Sequence, residues 1–183
     1  AFAHLTAVRG LSSDRVLVHG VSIGAAIGAA IALNHPGVRL TLDQPFCTLG
    51  EVTRNMAHQV VDGLLTKWLT AKRWTCALPA ARVCIAPPLA CTVSFMLVRM
   101  CFKRAHGGEA AGCALTDRFD NVRKAREIKG EIFVIRARED EMMHPDAARR
   151  ILCARYGAKA GDEADELLAR CSVIIAGGHM AFF

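Results

Sequence analysis

The sequence predicts an α/β protein built on a mostly parallel sheet, and three observations carry that reading. The apolar run Arg15-Val16-Leu17-Val18-His19 reads as a short buried strand. It passes through Gly20-Val21-Ser22-Ile23-Gly24 into Ala25–Leu33, small and aliphatic residues at helical spacing that close at Asn34-His35-Pro36. After a short return, Val38–Leu42 alternates between Gly37 and Pro45 and reads as the next strand. Strand, helix and strand with short connections form the unit from which parallel sheets are built.

The remaining elements follow in order. Phe2–Val8 reads as the end of an amphipathic helix, and Gly10–Asp14 as a turn. Residues 46 to about 115 break the strand–helix rhythm. Glu51–Leu69 has helical spacing of Val52, Met56, Val60, Leu64 and Leu65, and His106-Gly107-Gly108 reads as a loop. Val83–Val98 is nearly all apolar, but it contains Pro87-Pro88 and falls short of the ~20 residues that span a bilayer. A buried or cap-forming helical insertion is expected there. A membrane-facing cap flanked by Arg82, Arg99, Lys103 and Arg104 is the alternative. The sheet rhythm then resumes. Arg118–Ile128 is a charged helix or loop, Glu131–Ile135 a strand, and Pro145 to about Tyr156 a helix with proline in its first turn. Asp162–Arg170 is a further helix and Cys171–Ala176 a last strand before Gly177-Gly178-His179.

Composition sets bounds on partners and compartment. The chain has 183 residues, 52% of them hydrophobic and 22% charged, which is ample for one domain over residues 1–183 with 47–115 as its cap or insertion. Net charge is +6 and the basic residues lie in scattered groups without interleaved aromatics, so nucleic-acid binding is not expected. A solvated basic face fits better, with attraction to anionic lipid or an anionic substrate as the sharper option. The eight cysteines include no C-x-x-C pair and several sit in apolar runs. They read as core thiols of a reducing, cytoplasmic compartment, with the protein peripheral to a membrane as an option and with no structural zinc. The sequence opens at Ala1 without a signal-peptide pattern, and a fragment or trimmed product is expected.

The chemistry centres on Gly20-Val21-Ser22-Ile23-Gly24. Between a strand and a helix, G-x-S-x-G forms a tight, strained turn that lifts the serine hydroxyl clear of the sheet above a helix N-terminus. Both glycines are expected to be needed, because side chains there would meet the neighbouring backbone. Three polar residues then fall just after three predicted strands: Ser22, Asp140 and His179. A serine hydroxyl needs an imidazole to take its proton, and a carboxylate to hold that imidazole's tautomer. Parallel strands bring their C-terminal loops to one edge, where such residues converge. Glu139, Glu141, Asp146 and Asp43 are rivals to Asp140, and His144 is the rival to His179; His19 reads as a neighbour of the site.

Arg15–Leu33 with its Gly20-Val21-Ser22-Ile23-Gly24, Leu42-Asp43-Gln44-Pro45-Phe46, Phe119-Asp120-Asn121 through Asp140-Glu141, and Gly178-His179 together resemble the α/β-hydrolase superfamily. Within it the chain is most similar to single-domain serine hydrolases that include lysophospholipid lipases and protein depalmitoylases. The resemblance implies Ser22 as nucleophile, Asp140 as acid, His179 as base and the Ile23 N–H as an oxyanion donor. The loop Arg136-Ala137-Arg138-Glu139-Asp140 lacks the His-Gly start common in relatives. Only fourteen residues precede the elbow strand, so the fold's N-terminal strands and the second oxyanion donor they carry are not expected within this chain. The expected activity is serine hydrolysis of carboxylic esters or thioesters with acyl or lipid-like substrates and no cofactor or metal. The alternative is a non-catalytic α/β-hydrolase-like binding or interaction protein.

Overall fold

The computed structural model describes residues 2–71, 78–89, 92, 119–159 and 161–178. They fall into two compact units, one formed by 1–48 with 119–183 and the other by 49–118.

The first unit is built on four strands: β1 (Leu17–Val21), β2 (Arg39–Asp43), β3 (Ile132–Ala137) and β4 (Ser172–Ile175). They lie in sequence order and every pair is parallel. Helices α1 (Ile23–Asn34), α4 (Asn121–Glu127), α5 (Ala147–Tyr156) and α6 (Asp162–Cys171) belong to the same unit. A π-type turn at His4–Val8 and a 3₁₀ turn at Ser13–Arg15 precede β1. The sheet and helices thus have the α/β-hydrolase-like arrangement that the sequence predicts, with element ends displaced by one to three residues. The difference at α5 is of that kind: Pro145 stands before Asp146, the N-cap, rather than inside the first turn.

Side-chain alternation divides the sheet into two faces. Val18 and Gly20, Leu40 and Leu42, and Ile132 and Val134 face the helices; Leu40, Leu42, Ile132 and Val134 are fully buried with Ala25, Ala29, Ile128, Ile151 and Leu152. Helix α1 approaches closely because its buried side is made of Ala25, Ala26, Gly28, Ala29 and Ala32. A Cβ on Gly28 would stand 3.2 Å from Leu40 Cδ1 and 3.3 Å from Val18 Cγ1, so glycine sets that spacing. Helix α4 docks with Lys124, a buried lysine whose Nζ donates to the Ala26 carbonyl at 2.9 Å. On the other face, Leu17, His19, Phe133 and Val173 are exposed.

The second unit contains α2 (Leu49–Ala71) and α3 (Leu78–Cys84). The buried residues of α2 are Val52, Ala57, Val61 and Leu69, while Met56, Val60 and Leu64 are exposed. Of the apolar positions named from sequence, Val52 is buried and Leu65 packs against the cluster of Ala57, Val61 and Ala86, so the packed side overlaps them in part. Small Ala57 sits in a buried cluster with Val61 and Ala86. Arg82 ties the pair at the surface, its Nε 2.7 Å from Asp62 Oδ1 and its second nitrogen 3.0 Å from Oδ2. Half of Val83–Val98 (90–91 and 93–98) and the His106-Gly107-Gly108 loop lie outside the described residues. Among the described residues no helix is long and apolar enough to cross a membrane. Cys84, Cys153 and Cys171 are free thiols; Cys47 is buried as expected of a core thiol, but Cys84 is exposed.

Candidate active site

Residues 20–24 form a strand–turn–helix whose geometry is set by backbone strain. Ser22 lies at φ 52°, ψ −117°, between the end of β1 and the start of α1. A residue with a Cβ rarely occupies that region, and it persists only where the surroundings over-determine it. Two main-chain bonds do so here. The Ser22 N–H donates to the Asp43 carbonyl at 2.9 Å, and the Ala25 N–H donates to the Ser22 carbonyl at 3.0 Å. Ile23 is the first residue of α1, so its N–H is among those with no intrahelical acceptor.

The two glycines of the turn are not equivalent. A Cβ on Gly20 would overlap the Gly24 carbonyl oxygen and stand 2.8 Å from the Ala25 Cα, so this position admits glycine alone. A Cβ on Gly24 meets nothing within 4 Å among the described residues. The expectation that both glycines are required is corrected for Gly24, which sits in the first turn of α1 with its Cβ direction open.

The same edge of the sheet carries Asp140. β1 and β3 flank β2, which puts their ends roughly 10 Å apart at the usual spacing of neighbouring strands. Asp140 follows β3 in a tight loop, where its Oδ1 accepts the N–H groups of Met142 at 3.0 Å and Met143 at 2.9 Å. Two further main-chain bonds, Arg138 N to Ile175 O at 2.9 Å and Glu139 N to Gly177 O at 3.2 Å, carry the β3–β4 ladder past the end of both strands. Gly178 thereby reaches the acid loop, where an added Cβ would stand 3.2 Å from the Glu139 carbonyl oxygen and 3.9 Å from Glu141 Oε1. His179 itself lies outside the described residues.

Asp43 and His19, the rival acid and the expected neighbour, form a pair of their own. Both point from the sheet face opposite the helices, with His19 Nε2 3.3 Å from Asp43 Oδ2 and the carboxylate largely buried. Asp43 Oδ1 is buried and has no hydrogen-bond partner among the described residues. His144 is exposed and its Nδ1 accepts the Asp146 N–H at 3.2 Å. Gln44 was not anticipated from sequence. It is buried at φ 48°, its N–H donates to the Ile135 carbonyl at 2.8 Å, and neither side-chain amide atom has a partner among the described residues. Its position next to a strand-end aspartate before Pro45 was the available signal.

No protein-family model matches the chain, and no curated protein matches it in sequence. Solved structures do. MGS-M2, an α/β-hydrolase enzyme from a Medee basin deep-sea metagenome library, is 16% identical with a TM-score of 0.46, over 100% of this chain and 64% of that one. BpoC of Mycobacterium tuberculosis H37Rv, a candidate non-heme bromoperoxidase, is 16% identical with a TM-score of 0.48, over 100% and 65%. A proline iminopeptidase of Mycobacterium smegmatis is 14% identical with a TM-score of 0.46, over 96% and 61%. The chain thus spans less than two thirds of the length of the solved structures it matches. Likenesses of that degree say nothing of substrate. With its four parallel strands in sequence order, the strained serine between β1 and α1 and the acid loop after β3, the chain has an α/β-hydrolase-like fold.

Proposed function

We propose that the chain is a serine hydrolase of ester or thioester bonds, with Ser22 as nucleophile, His179 as base and Asp140 as the acid that orients it. The observation that carries this reading is the Ser22 backbone at φ 52° between a parallel strand and a helix. Strain of about 1–3 kcal/mol at a single serine is unexplained by folding alone and is accounted for by a hydroxyl that must stand clear of the sheet.

In the proposed reaction the Ser22 hydroxyl attacks the acyl carbonyl as its proton passes to His179. The Ile23 N–H faces the oxygen that becomes negative, at the positive end of α1. Collapse expels the alcohol or thiol, which takes the proton from His179, and leaves the acyl group on Ser22. Water activated by His179 then releases the acid and restores the serine. None of these steps calls on a metal or an organic cofactor. The acyl or lipid-like substrate class rests on the apolar 83–98 stretch, and residues 47–115 are proposed as the cap that selects it.

Labelling with a fluorophosphonate tests the nucleophile. The chain, or a form extended at its N-terminus, is expected to label, and Ser22→Ala to abolish it. Folded protein that never labels in either form would replace this reading with a non-catalytic binding protein.

A further inference from the structure

A cavity of about 190 Å³ opens at the carboxyl end of β3, and of the lining residues named here the proposed hydrolysis uses Asp140 alone. Arg136, Arg138, Asp140, Met143, His144 and Ile174 are among its lining residues.

Arg136 is the unusual member. It lies two residues beyond Val134, in register with Ile174, on the sheet face that the helices cover. That face is otherwise apolar along β3, so a guanidinium there needs a reason. Its Nε is buried and has no hydrogen-bond partner among the described residues. A guanidinium is a donor only and keeps its charge at any working pH, so an unanswered buried N–H of this kind is costly. Further donors stand beside it. Arg138 is exposed at the cavity, and the His144 Nδ1 accepts the Asp146 N–H, which places the ring proton on Nε2. Among the described residues the lining holds one carboxylate, Asp140, and its Oδ1 already accepts two loop N–H groups. Two guanidiniums against one carboxylate leave the cavity with a net positive charge and a surplus of donors, while Met143 and Ile174 add apolar wall.

We propose that this cavity binds a small oxyanion, a carboxylate or a phosphate group, held by Arg136, Arg138 and the His144 Nε2–H. Guanidinium forks match the planar or tetrahedral oxygens of such groups. The Arg-Ala-Arg start of the acid loop thereby has a role of its own. The proposal does not depend on Ser22 being a nucleophile, and its test reads binding rather than turnover.

The test is calorimetric titration of the full chain at low salt with inorganic phosphate and, separately, with butyrate. Saturable one-to-one binding of at least one anion is expected. Arg136→Gln is expected to weaken it at least tenfold and Arg138→Gln several-fold, with Arg54→Gln on α2 leaving it unchanged. Tighter phosphate would mark a phosphate source for the ligand, and tighter butyrate a carboxylate on a hydrocarbon chain. Absence of saturable binding by both anions overturns the proposal, as does binding that survives both arginine substitutions. Should Arg136→Gln fail to fold, the exposed Arg138 decides through its own variant.

Discussion

The backbone N–H of Ser22 donates to the carbonyl oxygen of Asp43 at 2.9 Å. This bond continues the β1–β2 ladder one residue past the register pair Val21–Asp43, so the elbow is held by the neighbouring strand as well as by its own helix. The Gln44 N–H repeats the arrangement one strand over, on the Ile135 carbonyl at 2.8 Å, and both residues have positive φ.

Strain at Ser22 predicts an uncoupling of stability from chemistry. Ser22→Gly is expected to raise folding stability by about 1 kcal/mol, because glycine occupies positive φ without a Cβ penalty, while removing fluorophosphonate labelling. Denaturant midpoints and labelling on the same samples measure both. A Ser22→Gly variant less stable than the parent would show that the elbow is not strained.

The two elbow glycines are expected to separate. Gly20→Ala forces a Cβ into the Gly24 carbonyl, a backbone group with no room to yield, and is expected to cost about 3 kcal/mol or to prevent folding. Gly24→Ala meets open space in the first turn of α1 and is expected to be neutral or to stabilise by about 0.5–1 kcal/mol. Thermal unfolding of the two variants decides the matter.

Asp140 and Asp43 are separable as acids. If Asp140 orients the base, Asp140→Asn is expected to lower turnover of a p-nitrophenyl ester by about 10⁴. Asp43→Asn, which alters only the pair with His19, is expected to stay within about tenfold of the parent. The reverse order would assign the acid to Asp43 at the end of β2.

Lys124 gives a pH dependence whose sign follows from its surroundings. Burial lowers its pKa below the usual 10.5, Asp120 partly offsets this by raising it, and Arg123 lowers it further. Between the lowered value and 10.5 the unfolded chain binds more protons than the folded one, so stability rises with pH across that window. Lys124→Met is expected to remove this rise. Urea midpoints at pH 7 and pH 10 should therefore shift in favour of the parent at the higher pH; parallel curves would contradict it.

Much of the fold was legible in the sequence because it is carried by local patterns. The strand before Gly20, the alanine- and glycine-rich α1 and the β-branched β3 each bear a period or a punctuation that one segment displays alone. On α2 the helix and the packing of Val52 and Leu65 were legible, but the rest of its buried side was not, for the opposite reason. Small Ala57 packs while Met56, Val60 and Leu64 face outward, a choice made by the partner helix and not by hydropathy. The elbow serine was legible from its two flanking glycines, although only Gly20 is sterically required. The His19–Asp43 pair, the backbone of Gln44 and the buried Arg136 Nε, without a partner among the described residues, were not, since each depends on strands meeting across long sequence separations.

The bonds that align the edge of the sheet run from Ser22 to Asp43, Gln44 to Ile135 and Arg138 to Ile175, and each is made by peptide groups alone. Any amino acid other than proline brings the same donor and acceptor to those places. The scaffold is therefore indifferent to which reactive atom it displays, and a thiol at position 22 or a new ligand in the acid loop inherits an address already surveyed. Evolution and protein engineers alike can retool this edge one side chain at a time.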